Sequence, residues 1–187
     1  MKRFALVTGA SSGIGLQICY SLARRGYNII LTSRSENKLK TISELINSEF
    51  GVETTYFSCD LAEKQGPQNI YNFCESKNFQ VDVLVNNAGY ALPDAFEKNS
   101  VDDEENCIRV LGTSVISLTK LFVRDMIKNN HGKIMIVSSV AAFAPPAAIQ
   151  VMYGPLKTFM NRFSEALNIN YNAKGITSTA LCPGYTV

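Results

Sequence analysis

The chain has 187 residues, which is enough for one domain with a sizeable hydrophobic core. Its net charge is +2, 18% of its residues are charged and no basic stripe runs along it, so it does not have the composition of an electrostatic nucleic-acid binder. Its five cysteines are an odd number without metal-ligand or redox spacing, which predicts reduced thiols in a cytoplasmic protein that has no metal site. We recognise no signal peptide and no apolar segment of membrane-spanning length.

The chain begins with a predicted strand over 3–8, a glycine-rich turn and a predicted helix over 13–26. Such a turn presents backbone N–H groups and a helix N-terminus that can hold a pyrophosphate. Gly9 would permit the sharp turn, Gly13 a close approach of the phosphates, and Gly15 close packing of helix on strand. The spacing G-x-x-x-G-x-G differs from the common dinucleotide fingerprint, and no Gly-Lys-Ser/Thr follows as in a Walker loop.

Short apolar runs then alternate with longer amphipathic runs. Including the first, strands are predicted near 3–8, 28–33, 53–58, 82–86, 133–138 and 176–182. Helices are predicted over 13–26, 36–50, 62–78, 101–130, where a break is left open, and 152–172. This alternation is typical of a parallel sheet covered on both faces. The predicted fold class is α/β: a Rossmann-type doubly wound parallel sheet with helices on both faces, in a single domain over 1–187.

Separated segments of the chain match one family in order and spacing. They are Thr8-Gly-Ala-Ser-Ser-Gly-Ile-Gly15, Asn86-Asn-Ala-Gly89, Ser138-Ser139, Tyr153-Gly-Pro-Leu-Lys157 and Pro183-Gly184. Together they resemble the short-chain dehydrogenase/reductase family, from about residue 3 to residue 187. The resemblance implies a nicotinamide dinucleotide as cofactor. The cofactor-binding residues that it implies are Gly9, Ser11, Ser12, Gly13, Ile14, Gly15, Ser33, Arg34, Asp60, Leu61, Asn87, Ala88, Gly89, Tyr153, Lys157, Pro183 and Gly184.

The same resemblance implies that Ser139, Tyr153 and Lys157 are catalytic. Ser139 would hold the substrate oxygen and Tyr153 would be the acid/base. Lys157 lies one helical turn beyond Tyr153, where its charge favours the phenolate, and by the resemblance it also grips the nicotinamide ribose. Taken alone, the tyrosine and lysine are also compatible with an accidental i, i+4 pair, and Ser139 with a hydroxyl cap at a strand end. Pro155 is acceptable only in a first helical turn, so the helix is expected to begin near 151–153.

The end of the second strand carries the signal for cofactor choice. Relatives that prefer NAD usually have an acid there, which binds the ribose 2′-hydroxyl. This chain has Ser33-Arg34, and a hydroxyl beside a guanidinium suits a 2′-phosphate, so NADP(H) is predicted over NAD(H). Arg34 as a simple strand-end cap is the alternative. Glu36 is expected to begin the next helix, and by the resemblance Asp60-Leu61 contacts the adenine.

The chain departs from the family pattern at Arg109, where relatives have an asparagine whose water passes protons to the lysine. Arg109 has no acceptor atom and cannot copy this role. We expect it to turn to the cleft rim or to pair with Asp102 or Glu105, and we expect reduction to be slower than in relatives. Asn106 takes the role if the helix is shifted.

The chain also stops at Val187, before the substrate loop and last strand that relatives carry, so we expect a fragment. The leading function is an NADP-preferring oxidoreductase of a carbonyl and a secondary alcohol. The apolar loop from Phe143 to Ala148 hints at an apolar substrate. Helices near 108–130 and 152–172 predict a homodimer or homotetramer. The sugar epimerases and dehydratases of the extended relatives are disfavoured by the glycine spacing. An NADP-binding sensor or scaffold with little catalysis is the alternative of a different class.

Overall fold

The computed structural model describes residues 3–145 and 150–184. Part of the predicted apolar loop, residues 146–148, and the last residues, 185–187, lie outside the described residues. Six parallel strands form one sheet: β1 Phe4–Thr8, β2 Asn28–Ser33, β3 Thr54–Ser58, β4 Val81–Asn86, β5 Gly132–Val137 and β6 Ile176–Leu181. Their order is β3-β2-β1-β4-β5-β6, which confirms the predicted doubly wound α/β fold.

In the part of the chain that the structure describes, six α-helices connect these strands: α1 Gly13–Arg24, α2 Glu36–Phe50, α3 Gly66–Ser76, α4 Val101–Ile108, α5 Ser114–Lys128 and α6 Tyr153–Tyr171. The direction of the strand order reverses between β1 and β4. In an open parallel sheet, the loops that leave the carboxyl ends of the strands diverge at such a reversal and leave a crevice. The topology therefore places a cleft beside the glycine turn after β1.

The sheet is buried because a separate core packs on each of its faces. One core joins alternate strand residues to α3, α5 and α6, through side chains such as Ile70, Phe122 and Met160. The other joins the intervening strand residues to α1 and α2, through side chains such as Cys19 and Leu39. A strand buried on both faces shows no regular polar alternation, which is why β1 is apolar over Phe4–Val7 and β4 over Val83–Val85.

The predicted start of the third helix is wrong. A helix was expected from residue 62, but α3 begins at Gly66. The Asp60 carboxylate accepts the N–H of Ala62 at 2.9 Å, which stabilises a turn instead of a first helical turn. A Cβ on Gly66 would overlap the carbonyl oxygen of Asp60, so this close return of the chain requires glycine.

The long helix predicted over 101–130 is continuous but not uniform. A π-helical turn, Arg109–Thr113, separates α4 from α5, and a capping box of Ser100 and Asp103 begins α4. Contrary to the expectation from the sequence, the whole segment Val101–Lys128 is long and apolar enough to cross a membrane by length and composition. Of its most apolar window, 56% is buried inside the protein, as in the core helix of a soluble protein, so it is weak evidence for a span.

Candidate active site

A cavity of about 580 Å³ opens at the carboxyl ends of β1 to β5, within the usual range for small-molecule sites. All the catalytic and cofactor-binding residues predicted from the sequence line it. The structure thus brings together residues that are up to 175 positions apart, from Gly9 to Gly184. It also adds lining residues that the sequence reasoning missed, namely Thr32, Ser35, Cys59, Ala62, Tyr90, Val110, Val137 and Ser138.

The glycine turn is held by steric necessity. Gly9 has a φ of +64°, and a Cβ there would lie 2.8 Å from Asn87 Nδ2. A Cβ on Gly15 would overlap the carbonyl oxygen of Gly9 and the same amide nitrogen. Side chains at either position would push α1 away from the ends of β1 and β4, so these glycines keep the helix N-terminus at the cavity.

Asn87 ties the glycine turn to the neighbouring strand. Its Nδ2 donates to the carbonyl oxygens of Thr8 at 2.8 Å and Gly9 at 3.2 Å. In return, Thr8 Oγ1 accepts the N–H groups of Asn87 and Ala88, both at 2.9 Å. Asn86 instead points into the core and donates to Thr119 Oγ1 at 3.2 Å. The two adjacent asparagines therefore have different tasks, which the motif alone does not distinguish.

The N-terminus of α1 is available for an anion. Ser12 is its N-cap residue but makes no side-chain cap hydrogen bond, and the first turn contains no acidic residue. Helix N-termini carry a partial positive charge and N–H groups without helical partners. Ser12 and Gly13 line the cavity and are exposed, so the amides of this turn fit a pyrophosphate.

The half of the cavity beside β2 and β3 contains the charged residues predicted for cofactor choice. Arg34 is exposed there, and its carbonyl oxygen accepts from Ser58 Oγ at 3.1 Å. Asp60 is the one carboxylate among the described lining residues, against the two cations Arg34 and Lys157. An excess of positive groups, together with the α1 N-terminus, suits a ligand with several phosphates. α2 begins at Glu36, as predicted, so that residue belongs to the helix rather than to the strand end.

The opposite half of the cavity contains Tyr153 and Lys157 in the first turns of α6. The helix begins at Tyr153, inside the predicted window, and Pro155 lies in its first turn as required. Lys157 Nζ lies 5.4 Å from the centroid of the Tyr153 ring and donates to the carbonyl oxygen of Val137 at 2.8 Å. The tyrosine and lysine therefore share one helix face that points into the cavity.

Lys157 is a buried cation, only 4% exposed. Burial lowers its pKa to about 8, against smaller opposing effects of Cys107 and Cys182. Ser138 Oγ donates to the carbonyl oxygen of Lys157 at 2.9 Å, which fixes α6 against the end of β5. This task of Ser138 was missed, because only the fold brings the strand end and the helix together.

Ser139 is half-buried beside the same pair of elements. Its Oγ accepts the N–H of Ala141 at 3.1 Å and caps the short 3₁₀ turn Val140–Ala142. The neighbouring N–H of Val140 donates to the carbonyl oxygen of Pro183 at 3.0 Å, which holds Pro183-Gly184 against this turn. The hydroxyl proton of Ser139 is not used by the cap, so the capping and substrate-binding interpretations are compatible.

Only some residues of the long helix reach the cavity. Asn106 and Val110, four positions apart, line it. Arg109 is exposed and pairs with Glu105 at 2.9 Å, one of the two partners expected from the sequence. Arg109, at the position where an asparagine is expected in relatives, therefore lies outside the cavity lining. Asn106, one turn earlier, lines the same cavity as Tyr153 and Lys157.

A doubly wound parallel sheet with a glycine turn and a polar cavity at its carboxyl edge defines a dinucleotide-binding fold of the Rossmann type. The family model of the short chain dehydrogenases matches residues 3–187, and the chain belongs to this family.

Two similar curated proteins show what this family includes. Very-long-chain 3-oxoacyl-CoA reductase-B of Danio rerio is 35% identical over 191 residues, which cover 99% of this chain and 60% of that protein. 17-beta-hydroxysteroid dehydrogenase type 3 of Rattus norvegicus is 34% identical over 188 residues, covering 98% and 60%. The chain thus spans about 60% of the length of these relatives.

A solved structure shows the same fold. The short-chain dehydrogenase from Sphingobium yanoikuyae in complex with NADPH matches all of this chain and 72% of its own, with 27% identity and a TM-score of 0.93.

Proposed function

We propose that this protein is an NADP(H)-dependent oxidoreductase that interconverts a carbonyl group and a secondary alcohol. The observation that carries the proposal is the common cavity: Tyr153, Lys157 and Ser139 line the same space as the glycine turn. The family to which the chain belongs, and the reductase and dehydrogenase names of its relatives, support the reaction class.

The residues of the cavity suit the proton chemistry of this reaction. When bound, NADPH supplies the hydride for the carbonyl carbon. The Ser139 oxygen already accepts the N–H of Ala141, and its hydroxyl would donate a hydrogen bond to the substrate oxygen and hold that oxygen in place. The Tyr153 hydroxyl gives a proton to the alkoxide as it develops. Lys157 Nζ donates one of its three N–H groups to the carbonyl oxygen of Val137. The other two N–H groups would be available to the Tyr153 phenol and the nicotinamide ribose.

The function is tested by following NADPH oxidation by the full-length protein with a panel of ketones, aldehydes and ketoacyl thioesters. Turnover of at least one carbonyl substrate, with the alcohol as product, is expected. Tight NADPH binding without turnover of any panel member would favour the sensor or scaffold instead. The sequence supported that alternative through Arg109, which replaces the expected asparagine. The structure weakens this support, because Arg109 lies outside the cavity lining whereas Asn106 belongs to it.

Cofactor preference is expected to depend on Arg34. Replacing Arg34 with alanine should weaken NADPH binding by roughly 1.5–3 kcal/mol, the range for a hydrogen bond to a charged group, and leave NADH nearly unchanged. Titration calorimetry at one salt concentration measures both. Arg25→Ala removes the same charge at an exposed position outside the cavity lining and is the control. Equal wild-type affinities for NADPH and NADH, or tighter NADH, would contradict the preference.

We propose an apolar carbonyl compound as substrate. Val140, next to Ser139, is 43% exposed, and Phe143, four residues after Ser139, is 75% exposed. Val151, two residues before Tyr153, is 46% exposed. Exposed apolar side chains on both sides of a reactive group favour an apolar ligand. The names of the two relatives, a very-long-chain acyl reductase and a steroid dehydrogenase, agree with this class.

Asn106 is expected to supply the relay that Arg109 cannot. Replacing Asn106 with alanine should lower kcat by about tenfold or more, in line with the contribution of assisted proton transfer, and leave the Kd of NADPH unchanged. Arg109→Asn should change kcat by less than about twofold, because it breaks only an exposed ion pair. Steady-state kinetics of both variants test this pair. A large gain of kcat in Arg109→Asn would place the arginine at the relay after all.

We also propose a homodimer or homotetramer in the cytoplasm. Of the apolar residues on the first of the two predicted contact helices, Val115, Leu118, Phe122 and Val123 are buried in the protein's own core, Leu121 is half-buried, and Ile116 is 40% exposed. The stacked rings of Phe159 and Phe163 add apolar surface on α6. Fewer exposed apolar side chains are therefore available for a subunit contact than the sequence pattern indicated.

A further inference from the structure

Gln150 has a left-handed backbone conformation shortly before the helix that carries Tyr153. Its φ is +63°, and among the described residues other than glycine only Asn78 and Asn130 also have a positive φ, at +53° and +48°. In this region an L side chain brings its Cβ close to the backbone, which costs free energy, and asparagine tolerates the conformation better than other residues. Gln150 is therefore the described residue of this kind that its own side chain does not explain.

Helix ends account for the two asparagines but not for the glutamine. Asn78 and Asn130 each lie one residue beyond the C-cap of a helix, α3 and α5, where a left-handed residue commonly ends a helix. Gln150 instead lies before α6, three residues ahead of Tyr153. A strained backbone persists only where surrounding contacts enforce it, and such residues are concentrated at functional sites. The place of Gln150 in the fold therefore points to the candidate active site.

The turn that begins at Gln150 sets the start of α6. The carbonyl oxygen of Gln150 accepts the N–H of Tyr153 at 3.0 Å. The N-cap residue, Met152, makes no side-chain cap hydrogen bond, so a backbone carbonyl takes the place of a capping side chain at this end of the helix. Met152 also packs against the core cluster that contains Leu156 and Met160, which holds the turn from the other side. The conformation of Gln150 therefore fixes where the helix begins.

Tyr153 depends on this turn for its position, because it is the first residue of α6 and no helical turn precedes it. Four residues farther along, the helix is fixed by Ser138, which donates to the carbonyl oxygen of Lys157 at 2.9 Å. Lys157 and Ser139 are each held by a hydrogen bond of their own. A different entry turn would therefore move Tyr153 relative to both, and a misplacement of about 1 Å can cost a reaction about 10²-fold in rate.

We propose that Gln150 is a positioning residue, whose left-handed conformation holds the Tyr153 hydroxyl within reach of the substrate oxygen. The inference rests on the proposed function and adds to it a residue that does not belong to the cavity lining. Gln150 acts through the backbone at the start of α6. A residue that tolerates its φ should therefore preserve the reaction, and a β-branched residue, which opposes a positive φ, should impair it.

The test compares three substitutions of Gln150. Gln150→Gly and Gln150→Asn tolerate the left-handed conformation and should keep kcat within about twofold of the wild type. Gln150→Val opposes it and should lower kcat by about tenfold or more, because Tyr153 is displaced. The Kd of NADPH should stay within about twofold of the wild type in all three, because the substitutions do not touch the cavity lining. Steady-state kinetics with a carbonyl substrate and titration calorimetry measure the two quantities.

Asn78→Val is the matched control. Asn78 is exposed beyond the end of α3, has a φ of +53° and does not belong to the cavity lining. Valine meets the same steric conflict there, so both valine variants should unfold at a temperature lower by about 2–4 °C or more. Only Gln150→Val should lose kcat. An equal loss of kcat in both variants would show a general effect of destabilisation and would overturn the positioning role.

The outcomes separate this inference from the proposed function. If the wild type reduces a carbonyl substrate and Gln150→Val reduces it equally fast, the positioning role is wrong while the proposed function stands. If Gln150→Gly and Gln150→Asn lose as much kcat as Gln150→Val, the glutamine side chain is responsible and the backbone argument is wrong. A higher unfolding temperature for Gln150→Val than for Gln150→Gly would contradict the left-handed conformation, whatever the turnover. If the wild type reduces no carbonyl compound, the proposed function fails, and the positioning role fails with it.

Discussion

Replacing Tyr153 with phenylalanine is expected to lower turnover by about 10²–10⁴-fold, the range that a positioned acid or base contributes. The change removes one hydroxyl and leaves the ring in place beside Lys157 Nζ, 5.4 Å from its centroid. NADPH affinity should therefore stay close to that of the wild type. Stopped-flow or steady-state oxidation of NADPH measures the first effect, and titration calorimetry measures the second.

A matched control for this variant lies on the same helix. Tyr171 ends α6, does not line the cavity, and has Lys174 Nζ 5.5 Å from its ring centroid. Tyr171→Phe makes the same chemical change beside a similar cation and should leave kcat unaltered. Near wild-type turnover in Tyr153→Phe, on a substrate that the parent protein reduces, would refute the assignment of the acid/base.

Replacing Lys157 with methionine is expected to reduce both turnover and NADPH affinity, and to stabilise the protein without its cofactor. Burial lowers the pKa of Lys157 to about 8 from an ordinary 10.5. Below about pH 8 the lysine is charged in both the folded and the unfolded chain, so the full desolvation penalty of the folded state is present there. Removal of this penalty should raise the free energy of unfolding at pH 7 by about 1–3 kcal/mol.

The difference in the free energy of unfolding between Lys157→Met and the wild type should depend on pH in a characteristic direction. Between pH 8 and 10.5 the unfolded chain binds more protons at Lys157 than the folded chain, so the stability of the wild type rises with pH relative to the variant. The advantage of Lys157→Met should therefore shrink from pH 7 to pH 10. Urea unfolding at both pH values measures it, with Lys120→Met, at an exposed position of α5, as the control. A variant that is less stable at pH 7, or an advantage that is independent of pH, would contradict the burial argument.

Local patterns in the sequence were sufficient for the fold class and for most of the elements. The β-branched and apolar runs predicted β2 at its observed ends and the other strands within one residue at each end. Gly26 follows the first helix with a φ of +81°, the left-handed conformation that glycine commonly adopts after a helix end. Pro155 located the start of α6, because proline is tolerated only where its missing N–H has no helical partner. These signals depend on the conformation of a few neighbouring residues, so they can be read without the tertiary structure.

The motifs also located the candidate site, since each follows the carboxyl end of a strand or begins a helix beside one. Once the strands are known to be parallel, their carboxyl ends must meet at one edge of the sheet. The glycine turn, the asparagine segment, the serine pair and the tyrosine with its lysine were therefore expected at one cleft, and all of them line the cavity. Their positions at strand ends were enough, because the carboxyl ends of parallel strands lie at the same edge whatever the strand order.

What the sequence alone determined, then, is the fold class, most element boundaries and the set of segments that meet. Only the tertiary structure decided which side chain of each segment faces the cavity. Arg109 turns out to Glu105 whereas Asn106 belongs to the cavity lining, and the turn at Asp60 delays α3 to Gly66. Ser138 fixes α6 against the end of β5. The direction in which a side chain points depends on how its helix is rotated and how its loop packs against distant elements. Contacts between residues far apart in the chain determine both.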